Sequence, residues 1–449
     1  MDQVTTAQRL ATTPVRAIHL RVLLLCTLIN LLDGFDILAI SYTAPAISEA
    51  WNIGKMELGS VFAAGMIGMA VGSLVLGPLS DLIGRKGAIL TCLLIIATSM
   101  LATPGAASVT QLVVLRAITG VGIGGILPAL NTMVAEFAPE RRRNLMVSTM
   151  HLGYPIGATA GGFLAAWTIP EFGWGSVFTI GGVATLCMFP LVLFGLPESP
   201  EFLCSRGTQR SRAQLQRIMI AATGQAPEPD SLTPAHAIAN QGKSRFLSGF
   251  LALFRSGNTK PTLLLWSAYF CGYLTFYFLL SWIPTILVDS GLPLEQAIYV
   301  GIALNLGGGA GMLLLGALTG RDNLRTFVAA AFVLACIGMF IFSITDLPLR
   351  HMLLLTGVIG FFGLAGLIGL YSIAARLYPA PVRATGVGIS VGMGRLGGIA
   401  GPLVGGQLMA LGWGMRDYFT LLGAPLILAA IAILAMGTRS LSDTDADTT

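Results

Sequence analysis

Charge is what this sequence lacks. Lys, Arg, Asp and Glu together make up 10% of its 449 residues, whereas a soluble chain carries about a quarter. So little charge cannot clothe a water-facing surface, and no segment longer than a loop has soluble composition. A soluble enzyme, a nucleic-acid binder and a secreted disulfide scaffold are thereby excluded. Cysteine is sparse too: Cys26, Cys92, Cys187, Cys271 and Cys336 stand in apolar runs and Cys204 in a polar one. Thiols in such runs behave as small hydrophobes, so neither a disulfide framework nor a metal cluster is implied. No Ser-His-Asp, metal-ligand or nucleotide-binding constellation occurs either, so neither a cofactor nor enzymatic activity is expected. What the chain does have is 54% hydrophobic residues, 56 glycines and 22 prolines, a mixture that membrane helices tolerate. The sequence describes an all-α integral membrane protein whose constant partner is the lipid bilayer.

A helix crosses the roughly 30 Å of hydrocarbon with about 20 apolar residues. Twelve runs qualify, at about 21–47, 56–79, 86–104, 110–138, 144–167, 175–196, 261–289, 294–319, 324–345, 348–378, 383–412 and 416–437. The N-terminus is polar to Arg21 and the first run carries two aspartates, a poor signal peptide, so the first span is expected to stay uncleaved. One long polar interval splits the runs six and six. The organisation expected is an N-terminal segment 1–20, a six-helix bundle 21–196, a central loop 197–260 with some helix, a second bundle 261–437 and a tail 438–449.

Basic residues orient the chain. Twenty-one of the 26 fall on one side and only Lys55, Arg350 and Arg416 on the other; Arg116 and Arg395 lie within spans. That asymmetry places both termini in the cytoplasm, in a cell's inner (plasma) membrane. A repeat supports the six-plus-six split. Gly77-Pro-Leu-Ser-Asp81-Leu-Ile-Gly84-Arg85-Lys86 follows the second span, and Gly316-Ala-Leu-Thr-Gly320-Arg321-Asp322-Asn323 follows the eighth. Parallel halves of this kind are one architecture of secondary transporters, whose substrate site lies at mid-depth.

These segments resemble the major facilitator superfamily over nearly the whole chain. Gly77 to Lys86 is similar to its loop-2/3 signature, with Leu82 at the first basic position; the second copy departs further, having Gly320 in place of Asp. Arg116-x-x-x-Gly120-x-Gly122 is similar to the fourth-helix motif. Within the superfamily, four segments resemble the aromatic acid:proton symporters. They are Asp33-Gly-Phe-Asp36, Pro139-Glu-Arg-Arg-Arg143, Leu196-Pro-Glu198-Ser199-Pro200 and Arg383-Ala-Thr-Gly386-Val-Gly388. The resemblance implies import of small aromatic carboxylates, of benzoate or hydroxybenzoate type, driven by the proton gradient.

The ionisable residues inside the spans carry the chemistry. Asp33 and Asp36 lie about 18–23 Å along a helix begun at Arg21 and share one of its faces. An aspartate at the bilayer centre costs roughly 2.5–3.5 kcal/mol, so the pair needs water, a partner or a proton. Two adjacent carboxylates do not both ionise cheaply, which suits one of them, Asp36 by register, to carry a proton. Arg116 needs an anion, and Asp33, Asp36 or Glu136 can supply it; a pair that breaks on protonation would couple the proton to helix movement. The alternative is a fixed structural ion pair.

Arg395, near mid-depth in the eleventh span, has no obvious acid at its level in the second half. A guanidinium facing a cavity there suits a substrate carboxylate, which it can grip with two parallel bonds. Asp81, Arg85 and Lys86, with Glu136, are the gating candidates. For Arg85 and Lys86 the plainer reading is orientation by positive charge. In the resemblance Asp81 closes the inner gate by pairing with a neighbouring helix.

Tyr277 and Trp282, together with Phe276, are candidates to stack on an aromatic ring, although core packing uses the same residues. His151, Tyr154, Asn305 and Gln407 are candidate polar contacts, and Glu198 and Arg383 read as structural. Two competing functions stay open: a symporter for another small organic acid or a proton-driven exporter, and a chemoreceptor that transports nothing.

Overall fold

Hydrocarbon offers no hydrogen bonds, so a spanning backbone must satisfy itself, and a helix does so within one segment. A computed structural model describes residues 13–224, 253–254, 259–318, 323–345, 347–378 and 380–436. Among these residues there are helices and no strand. They are α1 (Ala17–Trp51), α2 (Lys55–Ile83), α3 (Arg85–Ala102), α4 (Val109–Phe137), α5 (Arg143–His151), α6 (Gly153–Phe172), α7 (Gly175–Gly195), α8 (Pro200–Arg206) and α9 (Gln209–Thr223). After the central interval come α10 (Thr259–Asp289), α11 (Leu294–Leu318), α12 (Leu324–Ile344), α13 (Leu349–Leu377), α14 (Ala380–Ala410) and α15 (Met415–Ala435).

Eleven of these helices are long and apolar enough to cross a membrane. The exception is the fifth run, where one span was expected at 144–167. It is broken at Leu152 into α5 and α6. The 20 residues of α6 are long enough, but Gly, Ala, Thr and Tyr dilute their hydropathy. The same small residues serve packing. A Cβ on Gly157 would run into the carbonyl oxygen of Leu31, and one on Gly153 would stand 2.5 Å from that of Thr27. So α6 touches α1 backbone to backbone. Exposed Leu74, Trp167, Phe194 and Leu354 give the surface an apolar character that lipid, not water, accommodates.

The chain divides into two compact units that cut across three helices. One holds residues 1–37, 67–158 and 175–240; the other holds 38–66, 159–174 and 241–449. In the first unit α3 packs on α4 and α7. In the second, α10 lies against α14, α11 against α13, and α12 against α13 and α15. The polar interval 197–260 contributes α8 and α9 where it is described. Gly320, Arg321 and Asp322, on which the second copy of the turn motif rests, lie outside the described residues.

Candidate functional site

In the first unit, α1 brings its two acids into a buried interior. Asp33 is 4% exposed and Asp36 is 2%. Between them Gly34 lets α1 approach α6 so closely that a Cβ would collide with the Tyr154 carbonyl. Asp36 Oδ1 finds no hydrogen-bond partner among the described residues. Arg116 of α4 is buried as well, near enough to Asp36 for their charges to interact. The expected ion pair is not what holds this guanidinium. Its Nη2 donates to Thr103 Oγ1 at 3.2 Å, and its Cζ lies 4.7 Å over the Phe178 ring. Its Nε stays buried with no acceptor among the described residues. A carboxylate with an idle oxygen beside an arginine with an idle N–H is a place where a proton can be taken up and given back. Tyr154 and His151, both partly buried, stand in this unit at the α5–α6 break.

At the Gly84 end of the same unit, charges sit where helix ends call for them. Glu198 Oε1 accepts from Lys86 N at 3.0 Å and so caps α3. Glu136 accepts from Ser199 Oγ and from Glu201 N at the start of α8. Lys86 Nζ donates to Leu193 O near the end of α7, and Arg206 Nη2 to Leu82 O at the end of α2. Arg85 reaches Asp81 at 2.8 Å and Glu136 at 3.7 Å. Asp81 therefore pairs across its own turn. Gly84 makes this possible: its φ is +93°, and a Cβ there would strike the Glu198 carboxylate. Glu198, read as merely structural, is one of the residues on which the cluster depends. Arg383 stays local, bonding Tyr378 O at 3.1 Å.

The second unit carries the other intramembrane arginine. Close approach between α10 and α14 is built on glycine: Cβ atoms on Gly397 and Gly401 would collide with the carbonyls of Phe270 and Leu274. Gly394 and Gly398 in turn face the rings of Tyr273 and Tyr277, a Cβ standing 3.0 and 3.2 Å away. Around them runs a column of tyrosines. Tyr273 stacks on Tyr277 with centroids 5.7 Å apart, Tyr269 lies 6.1 Å from Tyr273, and Tyr371 of α13 meets Tyr269 edge-on at 5.7 Å. The Tyr273 and Tyr371 hydroxyls are 2.9 Å apart. Arg395, partly exposed, follows Gly394 at the middle of α14, as Tyr273 falls at the middle of α10. Added Cβ atoms on Gly388 and Gly392, two turns and one turn away on the Arg395 face, meet nothing within 4 Å. This face opens on empty space, with a cation and aromatic rings beside it.

Of the remaining candidates, Trp282 and Gln407 lie toward the C-terminal ends of their helices and Asn305 falls near the middle of α11. Trp282 is wholly buried; its Nε1 donates to Pro402 O at 3.0 Å and its ring meets Phe62 edge-on. Asn305 is bonded to Gly301 O and to the Tyr42 hydroxyl. Both have their polar atoms committed to packing. Gln407 is exposed, more than three turns beyond Arg395. Here Ser41 Oγ donates to Leu280 O at 2.7 Å, with Ser281 O also near, and Lys55 pairs with Asp289 at 2.6 Å. A Cβ on Gly406 would stand 2.7 Å from the Lys55 carbonyl. These bonds join the C-terminal half of α1 and the start of α2 to the C-terminal turns of α10 and α14.

Sequence reasoning missed Tyr269, Tyr273 and Tyr371, the Thr103 and Phe178 cradle of Arg116, and the Lys55–Asp289 pair. The tyrosines had a signal, since 269, 273 and 277 recur every fourth residue on one helix face. Lys55 served only to orient the chain, because nothing in its neighbourhood names a partner 234 residues away.

The sequence pattern described as Major Facilitator Superfamily matches residues 26–368. A gallate transporter of Pseudomonas putida is 37% identical over 437 residues, covering 97% of this chain and 95% of that protein. The 4-hydroxybenzoate transporter PcaK of Pseudomonas putida is 36% identical over 435 residues, covering 96% and 95%. The inward open structure of the xylose transporter XylE from E. coli superposes with a TM-score of 0.73 at 18% identity, over 95% of this chain and 99% of that one.

Proposed function

Because this chain belongs to the major facilitator superfamily, in its aromatic acid symporter branch, we propose that it imports a small aromatic carboxylate together with protons by alternating access. The coarse function, an aromatic acid transporter of the membrane and not an enzyme, follows from the relatives. The finer reading rests on the residues. The observation that carries it is Arg395 standing at the depth of a tyrosine column, on a helix face that meets open space. A guanidinium grips a planar carboxylate with two parallel bonds, and tyrosine rings offer the flat apolar surface that a benzene ring covers.

The proton side of the reading belongs to Asp36, with Asp33 and Arg116 as its electrostatic neighbours. An idle, buried carboxylate oxygen is stabilised by a proton, and releasing that proton to the cytoplasm resets the cycle. Asp81, Arg85, Lys86 and Glu136 would fasten helix ends during the movement. Twelve crossings follow if α5 and α6 together make the fifth, giving six-helix halves over 21–196 and 261–437. The excess of basic residues on one side supports an inner-membrane protein with both termini in the cytoplasm.

Proteoliposomes loaded at pH 8 and diluted into pH 6 buffer test the proposal. They should accumulate labelled 4-hydroxybenzoate above the outside concentration and lose it when a protonophore is added. Accumulation that survives the protonophore, or equal uptake of an aliphatic acid of the same charge, would overturn it.

A further inference from the structure

The paired hydroxyls of Tyr273 and Tyr371 are used by neither the carboxylate nor the proton. Each is a phenol with one proton and two lone pairs. Bonded to each other at 2.9 Å, they consume one proton and one lone pair. The pair keeps a donor and several acceptor positions, and no other hydrogen bond uses them among the described residues. Beside it the Tyr269 hydroxyl is buried with no partner among those residues, and so is that of Tyr378. Buried hydrogen-bonding groups such as those of Tyr269 and Tyr378 are costly to leave unfilled unless something completes them.

The face they share is not a lipid face. Phenol hydroxyls aimed at hydrocarbon would go unsatisfied, yet Tyr371 is 36% exposed and Tyr273 partly so. Tyr273 stands against α14, where Gly394 touches its ring immediately before Arg395, and Tyr371 reaches the same place through its hydroxyl. Arg395 and Tyr273 thus occupy neighbouring helices at one depth, and Tyr371 joins them through the hydroxyl pair.

We infer that Tyr273 and Tyr371 form a subsite for a ring hydroxyl, so that the transporter selects hydroxylated aromatic acids over the unsubstituted ring. The inference rests on the reading of Arg395 and the tyrosine column as an aromatic carboxylate site. A phenolic hydroxyl can donate to one tyrosine and accept from the other; a ring hydrogen can do neither and leaves the pair unfilled. Sites built to hydrogen-bond a substrate hydroxyl reject analogues that lack it far more strongly than apolar pockets reject a missing methylene.

The experiment is calorimetric titration of the purified full-length protein with 4-hydroxybenzoate and with benzoate. The native protein, Tyr371→Phe and Tyr273→Phe are compared, and each phenylalanine keeps its ring. The native protein should prefer 4-hydroxybenzoate by roughly tenfold or more, and each variant should reduce that preference to less than about threefold. Monodispersity and unchanged helical circular dichroism confirm that the variants are folded. A native preference that persists in both variants overturns this inference alone, because an aromatic acid still binds. A native protein that binds the two acids equally overturns it as well. Failure of the native protein to bind either acid overturns the parent reading and this inference with it.

Discussion

Two arginines lie inside the membrane-spanning part of this chain, and the two units treat them differently. Arg116 is wrapped: it is 3% exposed, bonded to a threonine and covered by the Phe178 ring. Arg395 is partly exposed, on a helix face lined by glycines that meet open space. The same planar cation is held out of solvent near two carboxylates in one unit and displayed beside tyrosines in the other. A charge kept from water matters for what it does to its neighbours' protons. A displayed one matters for what it can grip. In the proposed reading this difference corresponds to ion coupling in the first unit and substrate recognition in the second.

The sharpest way to break this division is Asp36→Asn. One pH unit supplies about 1.4 kcal/mol per proton, or tenfold accumulation. The variant should lose gradient-driven accumulation completely in proteoliposomes, yet still bind the acid. Unchanged accumulation would move coupling elsewhere. Next in size is Arg395→Ala, which should weaken binding of an aromatic acid by roughly a hundredfold. Arg395→Lys should fail also, because a point charge cannot make two parallel bonds. Benzamide separates the roles, since it should bind the native protein poorly and lose little more in Arg395→Ala. Equal losses for acid and amide would make Arg395 structural, with the carboxylate held elsewhere.

A third effect tests the charged cluster of the first unit. Gly84→Ala forces a side chain into a left-handed turn and against the Glu198 carboxylate. It should cost about 1–3 kcal/mol, read as a lower melting temperature in detergent. Gly388→Ala, at an open position, should change the melting temperature far less. The smallest effect belongs to Lys55 and Asp289, whose side chains are 25% and 45% exposed. A double-mutant cycle on them should give a coupling below about 1 kcal/mol. A larger value would mean that this pair, and not the apolar contacts around Trp282, holds the helix ends together.

Much of this was legible from order and composition. Hydropathy located every run of crossing length except that the fifth breaks at Leu152, where α6 exchanges apolar bulk for the glycines that press it onto α1. The motif order around Asp33, Asp81, Arg116 and Arg383 was sufficient to recognise the family. The site was legible only in part. Asp33, Asp36, Arg116 and Arg395 stood out because an ionisable residue in an apolar run is expensive wherever it points. For Trp282 and Asn305 the sequence could not say which way the polar atoms turn, because an apolar run does not distinguish an aromatic or an amide facing a cavity from one facing a neighbouring helix.

Composition and periodicity by themselves determined that the chain lives in a membrane, crosses it as helices and keeps a few ionisable residues inside. Those outcomes depend on transfer free energies, which sum along the sequence without reference to partners. Only the tertiary structure decided that Arg116 rests on Thr103 and Phe178, that Lys55 finds Asp289, and that Tyr371 brings its hydroxyl to Tyr273. Each is a contact between distant segments, and its existence depends on how closely helices approach. Glycines with a neighbouring carbonyl pressed against them set that approach, and no local pattern announces which backbone will be there.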